Sequence, residues 1–539
     1  MVMKKGWLAA VWAGAGLLIL LISLLSALLS ARLRAGEDTG RHRYQELPAA
    51  APVENALEGI EPDFTLNDRF STELPLVVLE LDGALPDYKE FDKDGQEHVL
   101  RDEAYTTGRM TLIDGGTGTY NTLADTPAAQ TEIRIKLRGH TSYDYDKKQY
   151  LIETMDKNGE SRPMEVLGLG EGETWVLNGS MADKSMLRNY LPYRVAAEFM
   201  DDAPDCCYCE VVLRQDGVDT YQGVYLMIEA VAQGKDRIDI QPNKRNKSYT
   251  SYIVRRDRFT NFDTMLETYG RVNEFDPEWI GVKYPNAARQ TPAVLDFITE
   301  DFSKTERVLY SQEENLFKTY DRYIDVDSFV DYFLVNEFFG NYDAGNHSTY
   351  MYKETGGKLH IGPVWDFDQA MNNYFADEMD PTVMAFQEKP LFRQLVKDRT
   401  FLDKLCRRYS ELRETSLSNA HIVDLIDQTT AYLENARQRE WYRWAEDYMD
   451  GSFSNVGNYY LQPYELEGYT LDRFNDNYDQ ELYTIRVYLN KHGTAISTEL
   501  PKLYDMATVS SGAGNEKTLL LCLSLLIFMM PAILINQRS

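Results

Sequence analysis

The chain has 539 residues, a formal net charge of −29 and five cysteines. So much acidic charge argues against nucleic acid as a partner, because binding to phosphates needs a basic surface. The length allows a large core or several domains. Three of the cysteines cluster at 206–209 without a second pair or a nearby histidine, which is a weak pattern for a zinc site and leaves any disulfide pairing open.

Two uncharged, apolar runs lie near the ends of the chain. Residues 7–31 follow a short tail at 1–6, and residues 518–535 lie close to the C-terminus. About 20 apolar residues are enough to cross a bilayer, whereas the apolar part of a cleaved signal peptide has about 7–15. We therefore interpret both runs as transmembrane helices, with a buried helix as the alternative for the second.

Two spans predict a multi-pass protein of the cell membrane, with both termini on one side and the large middle on the other. Lys4 and Lys5 favour a cytoplasmic N-terminus and an extracytoplasmic body. The arginines that follow the first run favour the reverse; they are Arg32, Arg34, Arg41 and Arg43. Because long domains are translocated largely regardless of charge, we expect the body to be extracytoplasmic.

Between the two runs, composition predicts a linker at 32–62, a folded body at 63–505 and a second linker at 506–517. Strand patterns fill the first half of the body, at 74–81, 131–137, 147–154 and 175–177, and in a hairpin around Asp216-Gly217. Helical patterns are predicted at 183–199, 291–300, 391–412, 419–448 and 480–503. The predicted fold class is α+β, with a strand-rich first half and a helical second half, flanked by two transmembrane helices.

An acidic stretch lies at the junction of the two halves. A helix is predicted after Asp325, which can cap it, and polar residues follow the end of that helix at Gly340. Two short strands around a Thr-Gly-Gly turn then return the chain to Asp366. This hairpin can bring Asp343 and Asn346 next to Asp366. Their oxygen atoms are hard ligands suited to Mg²⁺ or Mn²⁺, although each aspartate taken alone is better explained as a loop carboxylate or a helix cap.

The order of these residues follows the logic of a kinase catalytic loop. In such a loop one aspartate accepts the hydroxyl proton, an asparagine holds a metal ion, and a second aspartate after a hairpin holds the metal that bridges the phosphates. Here Asp343, Asn346 and Asp366 would take those places. The His-Arg-Asp and Asp-Phe-Gly motifs of the usual kinases are absent, and the spacing from the aspartate to the asparagine is shorter than in their catalytic loop.

Several residues of the strand-rich half could contact a nucleotide. Lys147 and Lys148 fall on opposite faces of the predicted strand, so only one can enter a cleft, and we favour Lys147. Arg138 could hold a phosphate or form a surface ion pair. Glu229, at the end of a buried strand, could orient the lysine or be an ordinary strand-end carboxylate.

Four blocks in this order resemble the CotH family, the spore coat protein H kinases. They begin at Arg138-Gly139-His140-Thr141-Ser142, Trp175-Val176-Leu177-Asn178, Gly223-Val224-Tyr225 and Gly362-Pro363-Val364-Trp365-Asp366-Phe367-Asp368. The resemblance covers residues 75–375 and leaves the helical C-terminal third unmatched. It departs from the family in the first block, which commonly reads Arg-Gly-Asn-Ser.

The resemblance implies an atypical protein-kinase-like body that uses ATP and Mg²⁺ to phosphorylate Ser or Thr hydroxyls of a protein. It implies Asp343 as the catalytic residue, Asp366 as a metal ligand, and Lys147 or Lys148 as the phosphate-binding lysine. Two alternatives stay open at this point. One is a non-catalytic binding or assembly protein of the cell envelope that keeps the fold, and the other is a metal-dependent hydrolase that uses the same carboxylates.

Overall fold

The structure is a computed structural model. It describes residues 41–45, 47–86, 104–139, 142, 145–179, 181–259, 263–373, 379–450, 464–466, 469–471 and 477–511. The chain divides into two units, Met1–Arg43 and Tyr44–Ser539, and every element below belongs to the second. The apolar runs at 7–31 and 518–535 lie outside the described residues, as do His140 and Thr141 of the first block.

Seven strands of the N-terminal half close into a barrel. They are β1 (Leu76–Leu81), β2 (Thr106–Ile113), β3 (Ala129–Leu137), β4 (Tyr150–Met155), β5 (Thr174–Asn178), β6 (Cys206–Gln215) and β7 (Val218–Glu229). The order around the barrel is β1-β2-β3-β4-β5-β7-β6. All neighbours are antiparallel except β1 and β6, whose parallel pairing of Leu76 with Glu210 closes the ring.

Alternating side chains fill the barrel. Along β3, Ile133, Ile135 and Leu137 are buried while the charged residues between them are half-buried, as the period of two in a strand requires. The inward residues of the other strands, including Trp175 and Tyr225, join them in one cluster. A seven-stranded barrel of this kind has a packed interior rather than a channel.

A second sheet carries the acidic stretch. It has five strands in the order β12-β11-β8-β10-β9. Their bounds are β8 (Tyr252–Arg256), β9 (Met265–Leu266), β10 (Ile280–Tyr284), β11 (Thr349–Lys353) and β12 (Leu359–Ile361). The last two form the hairpin predicted around residues 355–357. A separate pair, β13 (Tyr464–Leu466) and β14 (Tyr469–Leu471), lies later in the chain.

Ten α-helices accompany the sheets in the described part of the chain. The first five are α1 (Tyr190–Ala196), α2 (Tyr269–Val272), α3 (Pro292–Leu309), α4 (Glu314–Phe317) and α5 (Val326–Phe338). The others are α6 (Phe392–Leu395), α7 (Arg399–Arg413), α8 (Asn419–Tyr432), α9 (Glu434–Asp450) and α10 (Tyr478–Glu499). Buried aromatic and aliphatic side chains of α5, α7 and α10 join the largest core cluster, to which the helix α1 and the second sheet also contribute.

The predicted helix boundaries need three corrections. The residues at 391–412 form two helices because the Asp398 side chain accepts from the Thr400 amide and starts α7 anew. The residues at 419–448 divide at Leu433 into α8 and α9. The residues at 183–199 are helical only in α1, because Asp183 caps no helix and instead accepts from the Ser185 and Arg188 amides.

The predicted fold class is wrong. In place of an α+β body flanked by two transmembrane helices, the described chain is a mixed α/β fold around a closed seven-stranded barrel. None of the helices in the described ranges combines the length and the apolar content that a membrane span needs. The alternation of apolar and polar residues predicts individual strands, but closure of the barrel depends on the pairing of β1 with β6, which local periodicity does not encode.

Part of the predicted linker at 32–62 contacts the body. The Gln45 side-chain amide donates to the Tyr432 hydroxyl at 2.8 Å, and the Ala50 amide donates to the Ala431 carbonyl at 2.9 Å. These residues therefore pack on the end of α8. The other domain boundaries stay predictions.

Candidate functional site

The loop after α5 carries Asp343 and Asn346. The helix begins as predicted, with the Asp325 carboxylate accepting from the Ser328 amide at 2.9 Å. It ends before Gly340, whose φ of 61° suits a glycine at a helix end. The Asn341 side-chain amide then donates to the Trp365 carbonyl at 3.1 Å, so the start of this loop is tied to the residue before Asp366.

The hairpin of β11 and β12 returns the chain to Asp366, as the sequence predicts. The Ser348 hydroxyl, just before β11, donates to Asp366 Oδ2 at 2.9 Å. The amide of Asp366 donates to the Tyr193 hydroxyl at 3.1 Å, and the next amide donates to Asn189 Oδ1 at 2.7 Å. The segment with Asp366 is thus held from α1 on one side and from the loop on the other.

Two residues at this junction have a left-handed backbone. Ser348 has a φ of 48° and Asp366 has a φ of 65°. Such conformations are unfavourable for residues with a side chain and are common at functional sites. Here the two strained residues are hydrogen-bonded to each other, so both are fixed where the loop meets the end of the hairpin.

Asp366 lies close enough to Asp343 to affect its ionisation. Burial raises the pKa of Asp343 to about 6, and the negative charge of Asp366 adds to that effect. Arg258 and Lys389 oppose it, and Asp257 reinforces it. The structure therefore brings together the two aspartates that the sequence paired across 23 residues of intervening chain.

Sequence reasoning missed two further carboxylates of this cluster. Burial raises the pKa of Asp368 well above its ordinary value, and the negative charge of Asp366 and a hydrogen bond with it raise that pKa further. Asp257, just after β8, accepts from the Ser348 amide at 3.4 Å, and burial raises its pKa. Asp368 could have been noticed from its place two residues after Asp366, whereas no local signal marks Asp257.

The donor set fits a divalent cation that keeps some of its own water. Clustered carboxylates with raised pKa values repel one another, and a cation relieves that repulsion. Among the described residues, no three His, Cys, Asp or Glu side chains are arranged to hold a metal ion by themselves. Mg²⁺ does not need such a cage, because one or two carboxylates with phosphate oxygens and waters are sufficient. Asp366, and Asn346 on the half-buried loop, can supply that part.

Of the two lysines, Lys147, which the sequence analysis favours, is the one that is buried. It precedes β4 rather than lying on it, and its side chain is only 1% exposed. Its ammonium donates to Glu440 Oε1 at 2.6 Å and to the Val224 carbonyl at 2.7 Å. Lys148 is half-buried on the other side.

The carboxylate that partners Lys147 comes from α9, 293 residues further along the chain. Glu440 also accepts from the Val224 amide and from the Tyr448 hydroxyl, each at 2.7 Å. Gly223 makes this approach feasible, because a Cβ atom there would lie 2.4 Å from Glu440 Oε2. The pattern Gly-Val-Tyr in β7 therefore has a structural reason, although nothing in the sequence points to Glu440.

The structure separates the remaining predicted residues from Lys147. Glu229 does not orient the lysine: it forms an ion pair with Arg237 and accepts from the Asp205 amide at 3.1 Å. The reason is that β7 runs past the lysine at Val224 and reaches Glu229 five residues later, near the other end of β5. Arg138 donates to Gln149 Oε1 at 3.0 Å, and its positive charge is near Tyr350 of the second sheet.

A small cavity of about 20 Å³ lies between the lysine and the acidic cluster. Asp183 lines it, and the negative charge of Asp183 partly opposes the lowering of the Lys147 pKa by burial and adds to the raised pKa of Asp368. Asn189 also lines it, and its Nδ2 atom is buried without a hydrogen-bond partner in the described part of the chain. The volume suits about one water molecule, so this conformation is closed at that point.

The comparisons with known proteins were made against family models and against curated proteins. The family model described as CotH kinase protein matches residues 135–492. This range is more than half of the chain and contains all the residues discussed above, including Glu440. It also extends through the helical region that the sequence resemblance left unmatched, as far as residue 492 within α10. No curated protein matches the chain significantly.

Proposed function

The chain belongs to the CotH kinase family, and on that premise we propose that it transfers the γ-phosphate of ATP to Ser or Thr hydroxyls of a protein, with Mg²⁺ or Mn²⁺. The observation that carries this proposal is the meeting of Asp343 with Asp366 across the hairpin, in a cluster where the negative charge of Asp366 opposes the ionisation of Asp343. Phosphoryl transfer needs little covalent chemistry from the protein, so positioning and charge compensation are the tasks to assign.

Asp343 has the properties of the group that accepts the hydroxyl proton. Its raised pKa of about 6 lies close to neutral pH, where a general base is most effective. It is half-buried on a loop, so an incoming serine or threonine can reach it. Its neighbour Arg258 is exposed and positively charged, which favours the ionised form of Asp343 that the reaction requires.

Asp366 and Asn346 are the residues to hold the cation. Asp366 would supply a charged oxygen and Asn346 a neutral one, both of the hard type that Mg²⁺ prefers. When bound, Mg²⁺ supplies charge compensation for the phosphates. Ser348 keeps Asp366 in place through its hydroxyl, and a bound cation would offset the negative charge of Asp366 that raises the pKa of the neighbouring Asp368.

Lys147 is the residue to steady the phosphates, and Glu440 holds it in place. A lysine paired with a glutamate is a recurring part of kinase sites. In the present conformation both are wholly buried, so a phosphate could reach the ammonium only if α9 or the residues around the cavity moved. This closed state favours one alternative, a non-catalytic binding protein that keeps the fold.

The test is a phosphotransfer assay with the full chain, γ-labelled ATP, Mg²⁺ and a serine-rich peptide. Labelled peptide that disappears in Asp366→Asn and Asp343→Asn supports the proposal. Asp427→Asn is the matched control, because that aspartate lies on the exposed side of α8 and pairs only with Arg486 among the described residues. Free phosphate without labelled peptide would indicate a hydrolase, and no turnover with normal folding would indicate the binding protein.

A further inference from the structure

The backbone of the loop that carries Asp343 and Asn346 is held at its centre, Gly345. The Gly345 amide donates to the Thr349 hydroxyl at 2.7 Å. Its carbonyl accepts from Arg256 Nη1 at 2.8 Å. Because the amide and the carbonyl of Gly345 are both bonded to residues of the second sheet, the backbone between the functional residues Asp343 and Asn346 is fixed.

Arg256 is built into the sheet beneath this loop. It ends β8 and pairs in register with Thr349 of β11, so the two anchors of Gly345 lie side by side. Its side chain is 1% exposed. One guanidinium nitrogen contacts Gly345, and another forms an ion pair with Asp276, which is also 1% exposed.

The ion pair is itself supported from α3. The hydroxyl of Tyr310, just after this helix, donates to Asp276 at 3.4 Å. Glu306, on the helix, accepts from the Thr268 hydroxyl and from the Gly270 amide. Asp276 therefore has a position set by several elements. A guanidinium can bridge this fixed carboxylate and the Gly345 carbonyl because its donors diverge from one planar group, whereas a lysine ammonium is a single point.

We propose that Arg256 is a positioning residue. Its guanidinium links the Gly345 carbonyl to the Asp276 carboxylate and thereby orients Asp343 and Asn346 for the reaction. This inference rests on the proposed function, since it concerns the same site. Arg256 is set below the loop and acts through the backbone, so its removal should misplace the proton acceptor and a cation ligand while Asp366 and Lys147 stay where they are.

The test compares Arg256→Lys with the matched control Arg237→Lys. Arg237 is likewise a buried arginine that bridges a carboxylate, Glu229, and a backbone carbonyl, that of Gly170, but it lies on the barrel. Lysine at 256 can still pair with Asp276, so folding is retained, but it cannot also reach the loop. We expect kcat to fall about tenfold to a hundredfold with KM for ATP changed less than about threefold, and the control to keep its kcat.

A second measurement separates this inference from the proposed function. The Asn346 and His347 amides donate to the Asp343 carbonyl at 3.1 and 2.8 Å, and their hydrogen exchange reports the order of the loop without any turnover. Both should exchange at least about tenfold faster in Arg256→Lys and be unchanged in the control. Unchanged exchange overturns the inference, as does faster exchange with normal kcat. If the wild type transfers no phosphate, the proposed function fails, and the exchange alone decides whether Arg256 anchors the loop.

Discussion

Replacement of Glu440 by glutamine tests the buried ion pair most directly. The carboxylate receives three hydrogen bonds, from the Lys147 ammonium and the Tyr448 hydroxyl at Oε1 and from the Val224 amide at Oε2. Glutamine has the same shape but only one acceptor oxygen. Its NH₂ group must therefore face either the amide of β7 or the other two donors, and the ammonium loses its counter-charge inside the protein.

The structure sets the expected size of the effect. Both side chains of the pair are wholly buried, 1% and 0% exposed, so water cannot replace the lost partner. Removal of one member of a buried ion pair typically costs about 3–5 kcal/mol, and we expect Glu440→Gln to lower the free energy of unfolding by that amount. Combining it with Lys147→Met should restore part of the loss, because the uncompensated charge is then gone.

The deficit should also depend on pH. Burial lowers the pKa of Lys147, and Glu440 partly opposes this. A lysine whose folded pKa lies below its unfolded value gives stability that rises with pH between the two values, since the unfolded chain binds more protons there. Glu440→Gln lowers the pKa of Lys147 in the folded state further, so the pH range over which stability rises begins at a lower pH. The variant should therefore approach the wild type as the pH rises towards the folded pKa of Lys147 in the wild type.

Urea unfolding followed by fluorescence measures these differences. Glu434→Gln is the control, because that residue lies one and a half turns earlier on α9 and is partly exposed in a pair with Arg437; it should stay within about 0.5 kcal/mol of the wild type. A Glu440→Gln protein within about 1 kcal/mol of the wild type, with no pH dependence of the difference, would refute the assignment of a charged, buried pair.

Three further predictions concern the acidic loop. Asp366→Asn should weaken Mn²⁺ binding at least about tenfold in a spectroscopic titration, because a neutral oxygen lacks the charge that a hard cation needs; unaltered binding would place the metal elsewhere. Since the pKa of Asp343 is raised to about 6, kcat/KM should fall as the pH drops below about 6, where the proton acceptor becomes protonated. The same group should make the metal-free protein less stable as the pH rises from about 4 to 6, because the folded state holds more protons than the unfolded state over that range. Gly345→Ala should destabilise the protein by about 1–3 kcal/mol in urea unfolding, because φ is 87° and a Cβ atom would lie 2.8 Å from Lys389 Cβ.

Local sequence patterns were enough to predict the acidic half of the site. The cap at Asp325, the glycine end of α5 and the short hairpin are all encoded within about 40 residues, and together they fix the return path from Asp343 to Asp366. Each of these inferences depends on contacts between residues near one another in the chain.

Long-range pairing set the limits of prediction. Closure of the barrel joins Leu76 to Glu210, and the lysine finds its carboxylate at Glu440, far along the chain. In the sequence, Glu440 lies within a charged helix and has no mark that distinguishes it from its neighbours. Glu229 was the nearer choice, but the register of β7 places it beside Arg237. The helix break at Asp398 did have a local signal, an aspartate two residues before a threonine amide that it caps.

The C-terminal helices complete the site rather than extend a finished catalytic body. Helix α9 brings Glu440 to Lys147, and α10 brings Glu481 into an ion pair with Arg188, whose Nε atom donates to the Ala370 carbonyl just after the acidic segment. His492, also on α10, faces oxygen atoms with both ring nitrogens: the Pro381 carbonyl at 3.0 Å and the Glu337 carbonyl at 2.8 Å. Both contacts are to carbonyl oxygens, which favours the imidazolium form, and the Glu337 side chain raises the pKa of His492 against the effect of burial. A chain cut before α9 would keep Asp343 and Asp366 in its sequence but lose the partners that fix the lysine and the segment after Asp366, which agrees with a family match that continues to residue 492.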